Sequence, residues 1–262
     1  MPTKQEADGS WLVALFAPVT LFSLRMTHAT NKGGKTLLVP TPYSIKMALV
    51  DACFRGDQGD SEELARKVFD LVKARQIRVA PPEHCLVHNT FIKILDHDRN
   101  EAAGPYRSTI AYREFAFYKG VMSIAADASG LEAEAVSFLS SLFHRINQFG
   151  KRGSFWQCLA ADTRPELPTG IFTVRRDQIL PEEVPDYGAT LALDDFGQSL
   201  CKAKDGFDRI STYGAGAITL DQHRILELTA VPYSRVSASR RFSWYIRTDA
   251  LKMRSPDRDI DE

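Results

Sequence analysis

The chain has 262 residues, with 33 Lys and Arg against 33 Asp and Glu, so it carries no formal net charge. Its 44% hydrophobic and 25% charged content is ordinary for a soluble globular protein with room for one large domain or two small ones. The four cysteines, Cys53, Cys85, Cys158 and Cys201, form no CxxC pair and the six histidines are dispersed. This argues against a disulfide framework or a zinc site, and a reducing cytoplasm is the expected setting.

The first ten residues are polar, and "WLVALFAPV" from Trp11 reads as a buried opening strand, far too short to span a bilayer and without the flanks of a signal peptide. A basic loop, "HATNKGGKT", follows. Thr41 then Pro42 is an N-cap with proline at the first helical position, and Ile45, Ala48, Leu49, Ala52 and Cys53 recur on one face of the helix it opens. Gly56 and Gly59 interrupt the chain, and Asp60 with Glu63 suggests a capping box for a second helix. Residues 85–95 and 110–126 are strand-like, rich in β-branched and aromatic side chains, with the polar arm "DHDRNEAAGPYRST" between them. Ser129 can cap a further helix striped by Leu131, Ala135, Phe138, Leu139, Leu142 and Ile146, with Gly150 as its C-cap, and "SFWQCLAA" returns as a strand. That order predicts an α+β fold, a ferredoxin-like βαββαβ domain over 11–162. The prolines at 165, 168, 181 and 185 mark a boundary, and 163–262 reads as a strand-rich C-terminal region: "GIFTVRR", "ATLALDDF", "AGAITL", "RILELTAV" and "RRFSWYIRT".

Neutral overall, the chain is uneven in detail. No acid occurs from Gly9 to Val50, where Arg25, Lys32, Lys35 and Lys46 lie; none from Ala135 to Ala161, which holds Arg145, Lys151 and Arg152; and none from Leu228 to Thr248, with Arg235, Arg240, Arg241 and Arg247. Cations gathered this way can form one positive face on a neutral body, although apolar core segments are also poor in acids. In "FGKRGS" the glycines frame Lys151, Arg152 and Ser154, a turn able to hold phosphate oxygens, with a cation complementing a helix C-terminus as the plainer account. Gly33 and Gly34 between Lys32 and Lys35 make a basic loop ahead of a helix start, without the spacing of a Walker loop; a solvated loop is the alternative. Lys46, one turn inside the helix, can point either way. No motif for hydrolysis or metal binding is present, and no metal or cofactor is implied.

The apolar opening strand, the "PTPYSIKMALVDACF" helix start, the "FGKRGS" turn before a strand and the strand-rich C-terminal part together resemble the Cas-five family of the CRISPR-associated RAMP superfamily. The resemblance covers mostly residues 11–160. It implies a non-catalytic, RNA-binding subunit of a type I Cascade ribonucleoprotein complex in antiviral defence. Such a subunit holds the 5′ handle of the crRNA, touches the backbone RAMP subunit and the large subunit, and meets target DNA only through the complex. It implies no membrane partner. A hairpin thumb in relatives presses beside the handle, and the 96–109 arm with Arg99, Tyr106 and Arg107 is the candidate here; a solvated loop is the alternative. The RNA-binding set is therefore Arg25, Lys32, Lys35, Tyr43, Lys46, Arg99, Tyr106, Arg107, Lys151, Arg152 and Ser154. One branch of the family cuts precursor crRNA with a tyrosine and an adjacent Lys–His pair, and this chain has no adjacent Lys and His. A metal-independent endoribonuclease and a ferredoxin-like protein outside CRISPR systems are the other readings.

Overall fold

A computed structural model describes residues 11–27, 29, 33–55, 61–97, 106–150, 153–211 and 217–253. The chain begins with β1 (Trp11–Pro18), β2 (Gly33–Gly34), α1 (Pro42–Ala52), α2 (Ser61–Val72), β3 (Ile77–Ala80) and β4 (His84–His97). It continues with β5 (Tyr106–Lys119), β6 (Met122–Asp127), α3 (Ala133–Phe143), β7 (Trp156–Arg164), β8 (Val174–Arg175) and β9 (Ala189–Phe196). Two short helices, α4 (Gln198–Lys202) and α5 (Gly206–Ile210), precede β10 (Arg224–Val231), β11 (Tyr233–Ala238), β12 (Phe242–Arg247) and α6 (Thr248–Met253). Among the described residues no helix is long and apolar enough to cross a membrane.

β1 lies between β6 and β7, antiparallel to both, and β3 pairs with the outer side of β6. The order β3-β6-β1-β7 is that of a ferredoxin-like sheet, with α1 and α3 against one face. Alternation along β1 sends Leu12, Ala14 and Phe16 to the helical side, where the Phe16 ring meets Phe143 at 6.2 Å and Phe149 at 5.0 Å. The expected plan is therefore present, but two of its strands were misplaced. The second and third strands are β3 and β6, not 85–95 and 110–126. The run 110–126 breaks at Gly120, whose φ of 117° suits glycine, and β3 is four residues interrupted by Arg78, too short to show a period.

The segment expected to supply those strands is an inserted hairpin. β4 and β5 pair without a break from His84↔Lys119 to His97↔Tyr106. They form the middle of a second sheet, β11-β12-β4-β5-β2, so the C-terminal strands complete a sheet begun in the first half of the chain. A third sheet, β8-β10-β9, stands beside α1.

Other elements also shift. α3 starts after Glu132 rather than at a Ser129 cap and ends at His144, so Gly150 lies beyond it and is not its C-cap. Asp60 of the expected capping box lies outside the described residues. Of "AGAITL", the described part makes only an isolated bridge from Leu220 to Arg224, while β11 was not foreseen. The end of β7 falls near the expected boundary at 163, yet the hydrophobic core crosses it: one cluster runs from Leu12, Phe16 and Leu49 to Leu193, Phe196, Leu200 and Val231.

Candidate nucleic-acid interface

The segment after β1 ties three parts of the molecule together. The Val19 amide donates to the Phe155 carbonyl at 3.0 Å, and the Phe22 amide to the Ala116 carbonyl of β5 at 3.0 Å. The Ser23 amide donates to Ser154 Oγ at 3.2 Å, and the Thr20 hydroxyl to the Gly153 carbonyl at 3.3 Å. Next, the Leu24 amide donates to Thr36 Oγ1 at 2.9 Å, and the Thr36 amide to Glu114 of β5 at 2.9 Å. Gly33 and Gly34 run parallel to β5 opposite Tyr112 and Arg113, and a Cβ on Gly34 would fall 2.7 Å from Arg113 Cδ. Gly34 thus permits a close approach of backbone to the hairpin.

α1 starts as expected, with Thr41 Oγ1 accepting the Ser44 amide at 3.1 Å. Its first turn forms one wall of a cleft of about 440 Å³. Arg25, Tyr43 and Ser44, the turn residues Gln148 and Gly150, and Asp194 and Arg224 from the C-terminal half all line it. The Arg224 guanidinium lies 4.3 Å over the Tyr43 ring and pairs with Asp194, which is only 2% exposed. The Tyr43 ring also meets Phe196 edge-on at 5.2 Å. Burial pushes the Tyr43 phenol upward, partly opposed by the Arg224 charge. Arg224 was missed because nothing in "RILELTAV" distinguishes it from a strand-end cation.

The expected RNA-binding residues separate into three groups. Lys32, Arg99, Lys151 and Arg152 lie outside the described residues. Gly150 and Gly153, which flank the last pair, have φ of 65° and 97°, so the turn needs glycine at both ends. Arg25, Lys35, Tyr106 and Arg107 are exposed, and Tyr43 is half-buried at the cleft. Lys46 and Ser154 are corrections. Lys46 is 1% exposed; its ammonium meets Asp195 at 2.7 Å and the Lys73 carbonyl at 3.2 Å. Ser154 is 3% exposed and its hydroxyl holds Ser23, so it clamps the turn from inside. Neither faces an incoming strand.

Of the three acid-free stretches, the first two meet at this cleft. The third supplies Arg235, Arg240 and Arg241 at the β11 side of the second sheet, opposite the edge where β2 lies, and its Arg247 pairs with Asp249 at 2.7 Å.

The β4–β5 arm runs from the core outward. At its root Cys85, Val87, Ala116 and Tyr118 are core; farther out the same face carries Phe91 (73% exposed), Leu95 (75%), Ile110 (63%) and Tyr106 (63%). The tip, residues 98–105, lies outside the described residues. Of the 96–109 arm, residues 96–97 and 106–109 are the paired ends of a hairpin, and the ribbon that leads into it carries an exposed apolar and aromatic face.

No family profile matches the chain. Over 100 residues it is 27% identical to "CRISPR-associated protein Cas5" of Archaeoglobus fulgidus, covering 38% of this chain and 43% of that protein. The chain thus matches less than half the length of this curated relative. Among solved structures it is similar to "Crystal structure of a CRISPR protein from Archaeoglobus fulgidus" (10% identity, 90% of this chain and 91% of that chain, TM-score 0.42). It is also similar to a chain of "CRISPR RNA-guided surveillance complex" (14% identity, 85% and 91%, TM-score 0.42). The resemblance to a Cas5 RAMP-type protein, read from the sequence, is found again in the curated relative.

Proposed function

We propose that this chain is a CRISPR-associated, RNA-binding subunit that holds the crRNA 5′ handle within a type I Cascade complex, without cutting it. The carrying observation is the convergence of Arg25, the first turn of α1 and the Gly150 end of the "GKRGS" turn on one cleft. Handles are gripped through phosphates and by stacking of splayed bases, and this arrangement supplies exposed cations, amides at a helix start and aromatic rings. The similarity to a Cas5 protein supports the CRISPR setting. The proposed non-catalytic role is supported by Tyr43: burial raises its phenol and its ring lies against the Arg224 guanidinium and the Phe196 ring, a packed side chain rather than a poised acid or base. The backbone and large subunits are the proposed protein partners, and target DNA is reached through them.

The test is handle-RNA affinity as a function of salt for the wild type, Arg25→Ala and the double variant Lys151→Ala/Arg152→Ala. Each lost phosphate contact to a single strand lowers the log–log slope by about 0.7. The expected order is wild type steepest, Arg25→Ala about one contact less and the double variant about two, with the RNA recovered intact without divalent metal. Unchanged slopes would remove these cations from the interface, and cleavage at one position would favour the nuclease.

A further inference from the structure

The stretch "REFAFYK" at the end of β5 alternates between the two sides of the second sheet. Glu114, Ala116 and Tyr118 face inward: Ala116 and Tyr118 are core, and Glu114 accepts the Thr36 amide at 2.9 Å and the Tyr112 hydroxyl at 3.0 Å. Arg113, Phe115, Phe117 and Lys119 face the other way. Phe117 is 49% exposed, and Lys119 is exposed at the strand end.

Neighbouring strands widen this outer side. Register sets Trp244, Leu86 and Phe117 in one row across β12, β4 and β5, and Phe242, His88 and Phe115 in the next. Trp244 and Leu86 are each 38% exposed. Phe22 is buried and exchanges both backbone hydrogen bonds with Ala116, at 3.0 and 2.7 Å, so Leu21, 48% exposed, extends the first row beyond Phe117. An exposed apolar row of this width marks a binding surface. Its charge has one sign. From the His84–Lys119 pair to the Ile94–Thr109 pair no carboxylate of β4 or β5 faces this side, and β11 and β12 contain no acid. Glu83, ahead of β4, is engaged by His84 at 3.2 Å. Arg240 and Arg241 are exposed at the turn before Phe242.

Arg113, Phe115, Ala116 and Phe117 fall at the basic, aromatic, small and aromatic positions of K/R-G-F/Y-G/A-F-V-x-F/Y, the pattern with which an open sheet stacks the bases of single-stranded RNA. Glu114 and Tyr118 depart from it but face inward. Gly120 stands where the pattern has a third ring, and on this face Trp244 supplies a further ring from β12. Rings on alternate residues beside cations, without acids, favour a polyanion with stackable bases over an apolar protein seam. We propose that this outer sheet face binds single-stranded nucleic acid, with Phe117 and Trp244 stacking on bases and Lys119, Arg240 and Arg241 meeting backbone phosphates. None of these residues lines the cleft proposed for the handle, so the face takes a second strand and does not rest on the handle reading.

The full chain labelled with 5-fluorotryptophan contains three reporters, Trp11, Trp156 and Trp244, and Trp244→Phe assigns the last. In 19F spectra the Trp244 resonance should shift saturably with an oligouridylate of about ten nucleotides, and not with inorganic polyphosphate of the same length, which has the charge without the bases. Phe117→Ala should weaken the response about fivefold or more, and Phe117→Tyr, which keeps a ring, should retain it. Lys119→Gln, an exposed substitution that leaves packing intact, should lower the log–log salt slope of oligouridylate binding by about 0.7. Handle-RNA affinity should be unchanged in all three variants. A Trp244 resonance that does not move saturably overturns the proposal and is the result expected of a protein-docking face. An equal response to polyphosphate, or an undiminished response in Phe117→Ala, also overturns it. So does a parallel loss of handle-RNA affinity in Phe117→Ala, since the face would then belong to the handle interface.

Discussion

Lys46 sits one turn inside α1, where an apolar-stripe reading leaves its direction open. It turns inward because Asp195, almost 150 positions later, waits at the base of the third sheet; the two meet at 2.7 Å. Breaking a buried pair by removing one partner typically costs about 3–5 kcal/mol, and Asp195, 18% exposed, places this pair toward the low end. Burial already raises the Asp195 carboxyl above 3.8, with Lys46 opposing the shift. In Lys46→Met that opposition is gone and the folded-state value rises further. A carboxyl raised in the folded state is harmless below its unfolded pKa and destabilises progressively as pH rises through the folded value. The stability gap between wild type and Lys46→Met should therefore be wide at about pH 7 and narrow at about pH 4 in urea unfolding; a gap independent of pH would mean that Asp195 is solvated without Lys46.

At the scale of elements, the β4–β5 hairpin does two jobs along one face. Its root is core and its outer half exposes Phe91, Leu95, Ile110 and Tyr106. The switch follows from geometry: strand alternation continues outward after the neighbours that bury the face have ended. Substitution there should leave folding almost untouched, within about 0.5 kcal/mol, because little is packed. If the arm stacks on a handle base, Tyr106→Ala should nevertheless lose about 1–3 kcal/mol of RNA affinity. Melting curves and binding isotherms of the same preparation separate the two effects. A variant that binds as tightly as the wild type leaves the arm to a protein partner.

For the whole molecule, the ferredoxin-like half is not closed without the rest. Phe196, Leu200 and Val231 belong to the cluster that holds Leu12, Phe16 and Leu49, and β12 pairs with β4 from Phe242↔His88 to Ile246↔His84. A fragment ending at Arg164 leaves that apolar surface in water and the β4 edge unpaired. It should fail to show a cooperative transition. The full chain should unfold in one step, with tryptophan fluorescence and far-ultraviolet circular dichroism coincident. Two separated transitions would establish independent domains at the proline-rich boundary.

Local chemistry made some of this legible in the sequence. β1 and the Thr41–Pro42 start of α1 are visible because an apolar run and a cap are short-range signals, and the order of strands and helices sufficed for the βαββαβ plan. The Gly150 and Gly153 turn is visible because each has positive φ, which glycine adopts freely. Other features depend on residues far apart in the chain. Whether 85–119 fills the ferredoxin sheet or projects from it turned on β3, whose four residues carry no readable period and gain their place by pairing with β6. The direction of Lys46 stayed open, and Ser154 read as part of a phosphate-holding turn, until Asp195 and Ser23 were brought to them. Arg224 entered the cleft only when β10 laid it over Tyr43. Propensity and capping act within a few residues and can be read along the chain, whereas burial and charge pairing depend on which distant groups the packed core brings together, and only the tertiary structure decides that.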